Sequence, residues 1–304
     1  WSMLRLGAWW TVLEEATDAN RGFLMGVYSA VARSGSMVGV VAGGVLTDAI
    51  GHRWTLTIFA IVTALGGLAW LATSGGGKSP AKPAPEGSTR GTFGLVLRDR
   101  RLLMTGLGGL AGMLVFSGLL TASLGFYLDA RFGDRIGLAG LTIGVASFTG
   151  IALGIRFGID LVLAPSAGSL SDRLGRTPVV LTAFVLGAAG LLTLAAAPPL
   201  GIVIVAVIAA FVSSTALIVL LHARAGDLAP PSRRAAVMSV YATFLDLGSA
   251  LGPLVGLSLG TLGGLRWAFV GGGLLLLLIA LLYRRVTTDD LVVGAVEVST
   301  PLSR

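Results

Sequence analysis

The 304-residue sequence contains no cysteine and only two histidines, and 12% of its residues are charged. Without cysteine, the chain has neither a disulfide framework nor a thiolate for metal chemistry. His52 and His222 lie too far apart for a zinc motif, so we predict no metal site. Soluble globular chains average about 25% charged residues. The shortage of charge, together with 54% hydrophobic residues, indicates a membrane protein.

Other sequence signatures are missing as well. No segment resembles a phosphate-binding loop, which argues against direct drive by ATP. No group of carboxylate, histidine and serine residues points to catalysis, so we expect a protein that is not an enzyme and has no cofactor. The short alternating runs of transmembrane β-strands are absent. Apolar runs of roughly 20 residues instead predict α-helices that cross the bilayer several times.

The net charge is +7, and the basic residues are unevenly distributed. They concentrate on one side of the predicted spans, whereas the opposite connections contain only Arg53, Arg131, Arg135 and Arg266. By the positive-inside rule, the basic side is cytoplasmic. Membrane orientation therefore accounts for the charge, and we predict a multi-pass protein of the plasma (inner) membrane that binds no nucleic acid.

Composition divides the chain into parts. Residues 74–101 are rich in Gly, Pro, Lys and Arg and predict a flexible cytoplasmic linker. The chain starts at Trp1 inside an apolar segment, without an initiator methionine, so we expect it to belong to a longer protein. We predict four parts: the C-terminal part of a first helix bundle (1–73), the linker (74–101), a complete six-helix bundle (102–285) and a polar cytoplasmic tail (286–304).

Two apolar segments are copies of each other at a constant separation of 213 residues, which is the separation of Met25 from Met238 and of Trp54 from Trp267. They form the last two spans before the linker and the last two spans of the six-helix bundle. Such symmetry is typical of secondary transporters, which consist of duplicated bundles around a central site. The repeated residues are Arg21, Met25, Val27, Tyr28, Gly35, Ser36, Gly39, Gly43, Leu46, Gly51, Arg53 and Trp54, with the mates Arg234, Met238, Val240, Tyr241, Gly248, Ser249, Gly252, Gly256, Leu259, Gly264, Arg266 and Trp267.

Glycines recur every four residues in both copies and line one face of each helix, where a second backbone can pack closely. In the second copy a proline follows the middle glycine. This pattern resembles a fifth-helix signature of the major facilitator superfamily that is associated with antiport, although Val40 replaces the proline in the first copy. The helix-packing residues are Gly35, Gly39 and Gly43 in the first copy and Gly248, Gly252, Pro253 and Gly256 in the second.

Residues 168–177, between the second and third spans after the linker, read Gly-Ser-Leu-Ser-Asp-Arg-Leu-Gly-Arg-Thr. They resemble the cytoplasmic-loop motif of the same superfamily, except that Thr177 replaces a basic residue. Because this loop abuts the fifth helix in the family, the resemblance implies a latch between Asp172 and Arg21 or Arg173. The alternative is an ordinary polar loop. The matching residues are Gly168, Leu170, Asp172, Arg173, Gly175 and Arg176.

The resemblance covers nearly the whole chain. It implies an all-α polytopic membrane protein built as a bundle of two pseudo-symmetric six-helix halves. The two copies of the repeat then become helices five and six and helices eleven and twelve. On this assignment the chain runs from part of helix four to helix twelve, and the first half is expected to be incomplete.

Four ionisable residues fall inside predicted spans, where each costs at least ~2.5 to 3.5 kcal/mol without a partner or a watery cavity. Arg156 and Asp160 are spaced i, i+4 and can face each other on one helix. Arg33 lies ~16 Å into its span, close to the midplane, and Asp246 is its repeat mate. Because the fifth and eighth helices meet in this family, the resemblance implies an ionic switch between Arg33 and the Arg156–Asp160 pair. The alternative is a static pair that orients helices.

In this superfamily, helices one, four, seven and ten line the substrate cavity. The resemblance makes their polar residues candidates for substrate contact. Ser and Thr in membrane helices more often bond to their own backbone or to a neighbouring helix, which is the alternative here. The candidates are Arg5, Ser117, Thr121, Ser123, Tyr127, Ser213, Ser214 and Thr215.

Together these features predict a secondary active transporter that works by alternating access, is coupled to protons and exports a small amphipathic molecule. Two alternatives stay open. One is a symporter of the same fold that takes up a solute with protons, and the other is a membrane partner or sensor that does not transport. We expect a monomer that interacts with a small-molecule substrate, protons and the lipid bilayer.

Overall fold

The computed structural model describes residues 21–73, 89–138 and 140–299, and most of them are helical. The helices are α1 (Arg21–Ile50), α2 (His52–Thr73), α3 (Thr89–Arg98), α4 (Arg100–Gly112), α5 (Thr121–Phe132), α6 (Val145–Leu174), α7 (Arg176–Ala195), α8 (Leu200–Leu228), α9 (Arg234–Gly263) and α10 (Leu265–Ser299). A π-helical segment, Met113–Leu120, joins α4 to α5, and a 3₁₀ turn, Pro231–Arg233, precedes α9. Strands β1 (Arg135–Leu138) and β2 (Leu141–Gly144) form an antiparallel hairpin between α5 and α6.

Within the described ranges, six helical stretches are long and apolar enough to cross a membrane. They fall at the six spans predicted after the linker, and α1 and α2 coincide with the two spans predicted before it. The predicted all-α membrane fold is therefore confirmed, with one small hairpin added. The six stretches are Arg100–Phe132, Val145–Leu163, Arg176–Ala195, Leu200–Leu228, Pro231–Ser258 and Leu265–Thr287.

Single glycines make three of the turns between helices. Gly51, Gly175 and Gly264 have φ values of 79°, 86° and 84°, a left-handed conformation that favours glycine over other residues. Gly51 and Gly264 are mates in the repeat, so the same turn follows the first helix of each copy. Helices joined by such short turns run in opposite directions, which gives the bundle two ends. We call the end where α4 starts at Arg100 the basic end and the other one the distal end.

The six helical stretches after the linker share one apolar core. Phe116, Phe184, Phe211 and Phe269 are all buried in it. They come from the π-helical segment, α7, α8 and α10, so the core joins four different spans. The described spans after the linker are therefore packed together around shared aromatic residues.

Glycines allow α9 to lie directly against α4 and the π-helical segment. A Cβ on Gly248 would overlap the carbonyl oxygen of Leu110, and a Cβ on Gly252 would overlap that of Leu114. Gly256 faces the side chain of Leu119. The second glycine set thus lies at the contact between these helices, and Pro253 contacts the same surface at Gly118.

The first glycine set behaves differently. Within the described part of the chain, a Cβ on Gly35 or Gly39 would meet no atom within 4 Å, and one on Gly43 would lie 3.5 Å from the ring of Phe59. The close contact of α1 is instead made by Gly44, which lies against the backbone of α6 at Ala146. The predicted packing role is therefore not observed for Gly35 and Gly39.

The predicted linker and tail contain more helix than their composition indicates. Helix α3 occupies the second half of the linker and buries Thr92 and Val96. Val96 joins a small apolar cluster with Val237 and Val240 of α9. At the other end of the chain, α10 continues through the tail to Ser299. The burial of one face of α3 explains why a polar, Gly-rich segment is ordered there.

We expect Gly252→Ala to destabilise the bundle, because the added methyl group would overlap backbone atoms that cannot rotate away. Overpacking of this kind costs about 1–3 kcal/mol. Gly271→Ala in α10 is the matched control, since a Cβ there meets no described atom within 4 Å and alanine favours the helix. Thermal unfolding in detergent should show a lower midpoint for Gly252→Ala only. Equal midpoints for the two variants would contradict the packing role.

Candidate functional site

The guanidinium group of Arg156 is held between α6 and the helix formed by α4, the π-helical segment and α5. Its Nη1 donates to Thr121 Oγ1 at 2.7 Å and its Nη2 donates to Ser117 Oγ at 2.8 Å. Its Cζ lies 5.8 Å from the ring centroid of Phe211 in α8, within range of a cation–π contact. Its Nε is buried and has no hydrogen-bond partner among the described residues. The Nε–H is thus a buried donor available to a ligand within this polar contact.

Asp160 lies one helical turn further along α6 and contacts a different helix. The hydroxyl of Thr215 in α8 donates a short hydrogen bond to its Oδ1. The same hydroxyl is also within bonding distance of the carbonyl oxygen of Phe211, at 3.1 Å. Thr215 is buried, whereas Asp160 is partly exposed. The carboxylate is therefore fixed by one neighbour and still has an accessible side.

The expected direct contact between Arg156 and Asp160 is not present. No ion pair joins them within the described residues, because Arg156 turns to Ser117 and Thr121 while Asp160 turns to Thr215. The i, i+4 spacing places both side chains on one face of α6. Each side chain binds hydroxyl groups on a different flanking helix. The two charges form the centre of one site without pairing directly.

The structure does not bring Arg33 or Asp246 to this site. Both side chains are exposed. Among the described residues, no hydrogen bond or ion pair links Arg33 to Arg156 or Asp160. The predicted ionic switch is therefore not formed in this conformation, although α1 and α6 do pack together near their distal ends.

Several predicted cavity residues instead stabilise the packing of the bundle. Tyr127 donates to the carbonyl oxygen of Leu194 at 3.0 Å, and Ser213 donates to that of Ala183 at 2.6 Å. Ser123 bonds within its own helix and is fully buried. Ser214 is also buried. In this conformation Ser123, Tyr127 and Ser213 therefore follow the alternative stated for them, in which hydroxyl groups on spans bond to backbone carbonyls.

Part of the predicted site lies outside the described residues. This applies to Arg5, to the surroundings of Gly168 and to the side chains of Arg21 and Asp172, so the predicted cytoplasmic latch lies outside the described residues. The remaining motif residues Leu170 and Arg173 are exposed, and Gly175 forms the turn described above. Arg176 forms an ion pair with Asp227 at the end of α8.

A cleft of about 700 Å³ opens between α1, α5 and α6 toward the distal end. Asp48, His52, Asp129 and Asp134 supply its ionisable side chains. Thr121 also lines it, so the cleft reaches the residue that binds Arg156. Nowhere in the described part of the chain do three His, Asp or Glu residues form a group suited to a metal ion.

Asp48 is the polar residue that the sequence interpretation missed. Its Oδ2 accepts a hydrogen bond from the backbone N–H of Ser147 at 2.7 Å. The available signal was an acidic residue near the end of an apolar span, three residues before the turn glycine Gly51. The repeat gave no help, because the matching position in the second copy is Thr261.

A bundle of apolar helices that holds charged side chains between its spans has the architecture of a polytopic membrane transporter. The sequence model of the Major Facilitator Superfamily matches residues 8–159 and 146–300, nearly the whole chain. The chain therefore belongs to the Major Facilitator Superfamily and is part of an integral membrane protein, as its motifs and repeat predicted.

The chain is similar in sequence to parts of two multidrug resistance proteins. The chain is 30% identical over 166 residues to the multidrug resistance protein MdtG of Proteus mirabilis, which covers 55% of the chain and 39% of that protein. It is 38% identical over 79 residues to the multidrug resistance protein MdtH of Cronobacter sakazakii, covering 24% and 18%. The matches thus span well under half of either relative.

Solved structures support the fold. A POT family transporter in complex with a thioalcohol-conjugated peptide matches 94% of this chain and 71% of its own, with a TM-score of 0.64 and 16% identity. A bacterial homolog of the human lysosomal transporter Spinster, in an inward-facing and occupied conformation, matches 91% and 72%, with a TM-score of 0.61 and 16% identity. At these identities the likeness concerns the fold alone.

Proposed function

We propose that this chain forms part of a secondary active transporter that exports a small amphipathic molecule by alternating access, driven by protons. The observation that carries this proposal is the position of Arg156 and Asp160. They lie on one helix, eleven and fifteen residues from its start, or about 17 and 22 Å along the axis. Charges at this depth are costly unless they serve a site or a pathway.

The polar centre offers both groups that an amphipathic substrate needs. The Nε–H of Arg156 is buried without a partner among the described residues, and the ring of Phe211 lies beside the guanidinium group. Phe211 also lines a small apolar cavity of about 160 Å³, together with Leu124, Phe148 and Val207. A molecule with a hydrogen-bond acceptor and an apolar body fits this combination. The names of two relatives, both multidrug resistance proteins, support a drug-like substrate class.

Asp160 is our candidate for proton coupling. Its carboxylate accepts a hydrogen bond from Thr215, is partly exposed and forms no direct ion pair with a described arginine. An acidic residue inside a span is a common element of proton pathways. Arg33 and Asp246, at matching depth in the two repeat copies, belong to the proposal as charges that find partners in another conformation of the cycle.

The orientation follows from the distribution of arginine. The protein lies in a bacterial inner membrane with its basic end on the cytoplasmic side, where the linker and the C-terminus also lie. The chain is divided into the C-terminal part of a first bundle (1–73), a linker (74–101), a second bundle (102–285) and a tail (286–304). We expect a monomer. The distal end, with the acidic cleft, then faces the extracytoplasmic side.

Flux measurements on the full-length protein in proteoliposomes test this proposal. With an imposed pH gradient, we expect uphill movement of the amphipathic dye ethidium, accompanied by proton movement that an entrapped pH indicator reports. Reversing the gradient should reverse the net movement of the dye. If no solute of a broad panel of cationic, neutral and anionic amphiphiles moves, the transporter proposal is wrong.

For the cytoplasmic-loop motif we expect Asp172→Asn to shift the balance between inward-open and outward-open states. Loss of the carboxylate removes the charge that would hold Arg21 or Arg173, so the closed cytoplasmic end should become less stable. Labelling of single cysteines introduced at the basic end measures this balance. Thr177→Asn, in the same loop but without a predicted partner, is the control. Equal labelling of Asp172→Asn and the parent would assign the motif to an ordinary loop.

A further inference from the structure

The first turn of α6 is capped by a residue from another helix. Gly144 occupies the N-cap position and provides no side-chain hydrogen bond. N-cap side chains normally accept from the second or third backbone N–H of the helix. Asp48 takes this role, since its Oδ2 accepts from Ser147, the third residue of α6, at 2.7 Å. The cap therefore comes from α1, and the two bonded residues lie 99 positions apart in the sequence.

The space beside Gly144 is reserved for this carboxylate. A Cβ on Gly144 would overlap the carboxylate atoms of Asp48. One turn before Asp48 in α1, Gly44 lies against the backbone of Ala146 in α6. A Cβ on Gly150 of α6 would lie 2.5 Å from the carbonyl oxygen of Val40 in α1. The distal ends of α1 and α6 are thus in backbone contact, with Asp48 at the edge of that contact.

Toward the basic end, the described contacts of the two helices reach Gly154, where a Cβ would lie 2.6 Å from the side chain of Val41. A Cβ on Gly158, one turn further along α6, would meet no described atom within 4 Å. Arg33 of α1 is exposed. The described backbone contacts between the two helices therefore lie toward the distal end.

We propose that Asp48 is a latch between the two bundles, and that it must leave the first turn of α6 before the Arg156 site opens toward the distal, extracytoplasmic side. This inference rests on the proposed function, because it assumes that α1 and α6 move apart during transport. The cleft lined by Asp48 extends to Thr121, which holds Arg156. Separation of α1 and α6 would widen that cleft directly above the site.

Two variants release the latch in different ways. Asp48→Ala removes the carboxylate. Gly144→Ser keeps Asp48 but supplies a local cap and occupies its space, and the backbone of Gly144 (φ −63°, ψ 150°) suits serine. Gly144→Ser therefore separates the latch from the stability of α6 itself. Asp129→Asn is the matched control, because Asp129 lines the same cleft and its side chain has no hydrogen bond to a described residue of α6.

Distances between the two helix ends provide the readout. The sequence has no cysteine, so Ile50→Cys and Leu141→Cys introduce two nitroxide labels at exposed positions of the full-length protein. Double electron–electron resonance then measures how often the ends separate. Because a lost cap and a lost charge–dipole interaction together shift an equilibrium about fivefold or more, we expect the long-distance population to rise by that factor in Asp48→Ala and Gly144→Ser.

The control should match the parent. An unchanged distance distribution in Gly144→Ser, or in a folded Asp48→Ala, overturns the latch. The measurement needs no substrate, so it is independent of the flux assay. Flux without a distance change would reject only the latch, whereas a distance change in a protein that transports nothing would reject only the transport function.

Discussion

Replacing Asp160 by asparagine is expected to abolish proton-driven transport while leaving the protein inserted and folded. The amide oxygen of asparagine can still accept the hydrogen bond from Thr215, so the contact between α6 and α8 survives. The amide cannot carry a proton in place of the carboxylate, however, so the site loses the group that we propose couples transport to protons. Proteoliposomes with an entrapped pH indicator should show substrate-dependent proton movement for the parent and none for Asp160→Asn.

The control for this prediction is Asp129→Asn, which makes the same chemical change at the distal end of the bundle. It should retain coupled flux close to that of the parent. If Asp160→Asn moves protons with substrate at the parent rate, Asp160 only orients helices and the coupling group lies elsewhere.

Replacing Arg156 by lysine is expected to reduce transport at least tenfold with the positive charge retained. The guanidinium group binds Ser117 and Thr121 through two separate nitrogens and lies beside the ring of Phe211. A lysine ammonium group is a compact charge without this planar fork, so it cannot make all three contacts at once. One lost hydrogen bond to a charged group is worth about 1.5–3 kcal/mol, which corresponds to a factor of ten or more.

Arg266→Lys is the control, because Arg266 is exposed and stacks only on its neighbour Trp267 at 5.9 Å within the described structure. Initial rates of dye flux at several concentrations separate weaker substrate binding from slower turnover. Normal flux in Arg156→Lys would show that a positive charge is sufficient at this position and that the two hydroxyl contacts are not part of the site.

Much of the fold could be predicted from the sequence, because the bilayer constrains it. Spans of about 20 apolar residues have few alternatives to the α-helix. The repeat pairs Gly51 with Gly264, and both residues have the same left-handed conformation in the structure. The polar centre was predicted in part, since Ser117, Thr121 and Thr215 do surround Arg156 and Asp160.

The remaining parts of the site depend on contacts that leave no periodic pattern. Asp48 binds a backbone N–H, and any residue type at position 147 except proline provides that donor. Tyr127 and Ser213 carry the same polar groups as true cavity residues, but they bond to backbone carbonyls of neighbouring helices. Only the packing of the helices distinguishes these two uses of a hydroxyl group.

The π-helical segment Met113–Leu120 makes the length of this helix as important as its composition. The backbone N–H of Thr121 donates to the carbonyl oxygen of Phe116, five residues earlier, which marks the wider turn. The hydroxyl group of Thr121 donates to the same oxygen. Such a turn accommodates one residue more than an α-helix would, and each residue rotates an α-helix by about 100°. A chain shorter by one residue here would keep Ser117 and Thr121 in its sequence. Its α5 would nevertheless be rotated away from α6, and Arg156 would lose one of its two hydroxyl partners.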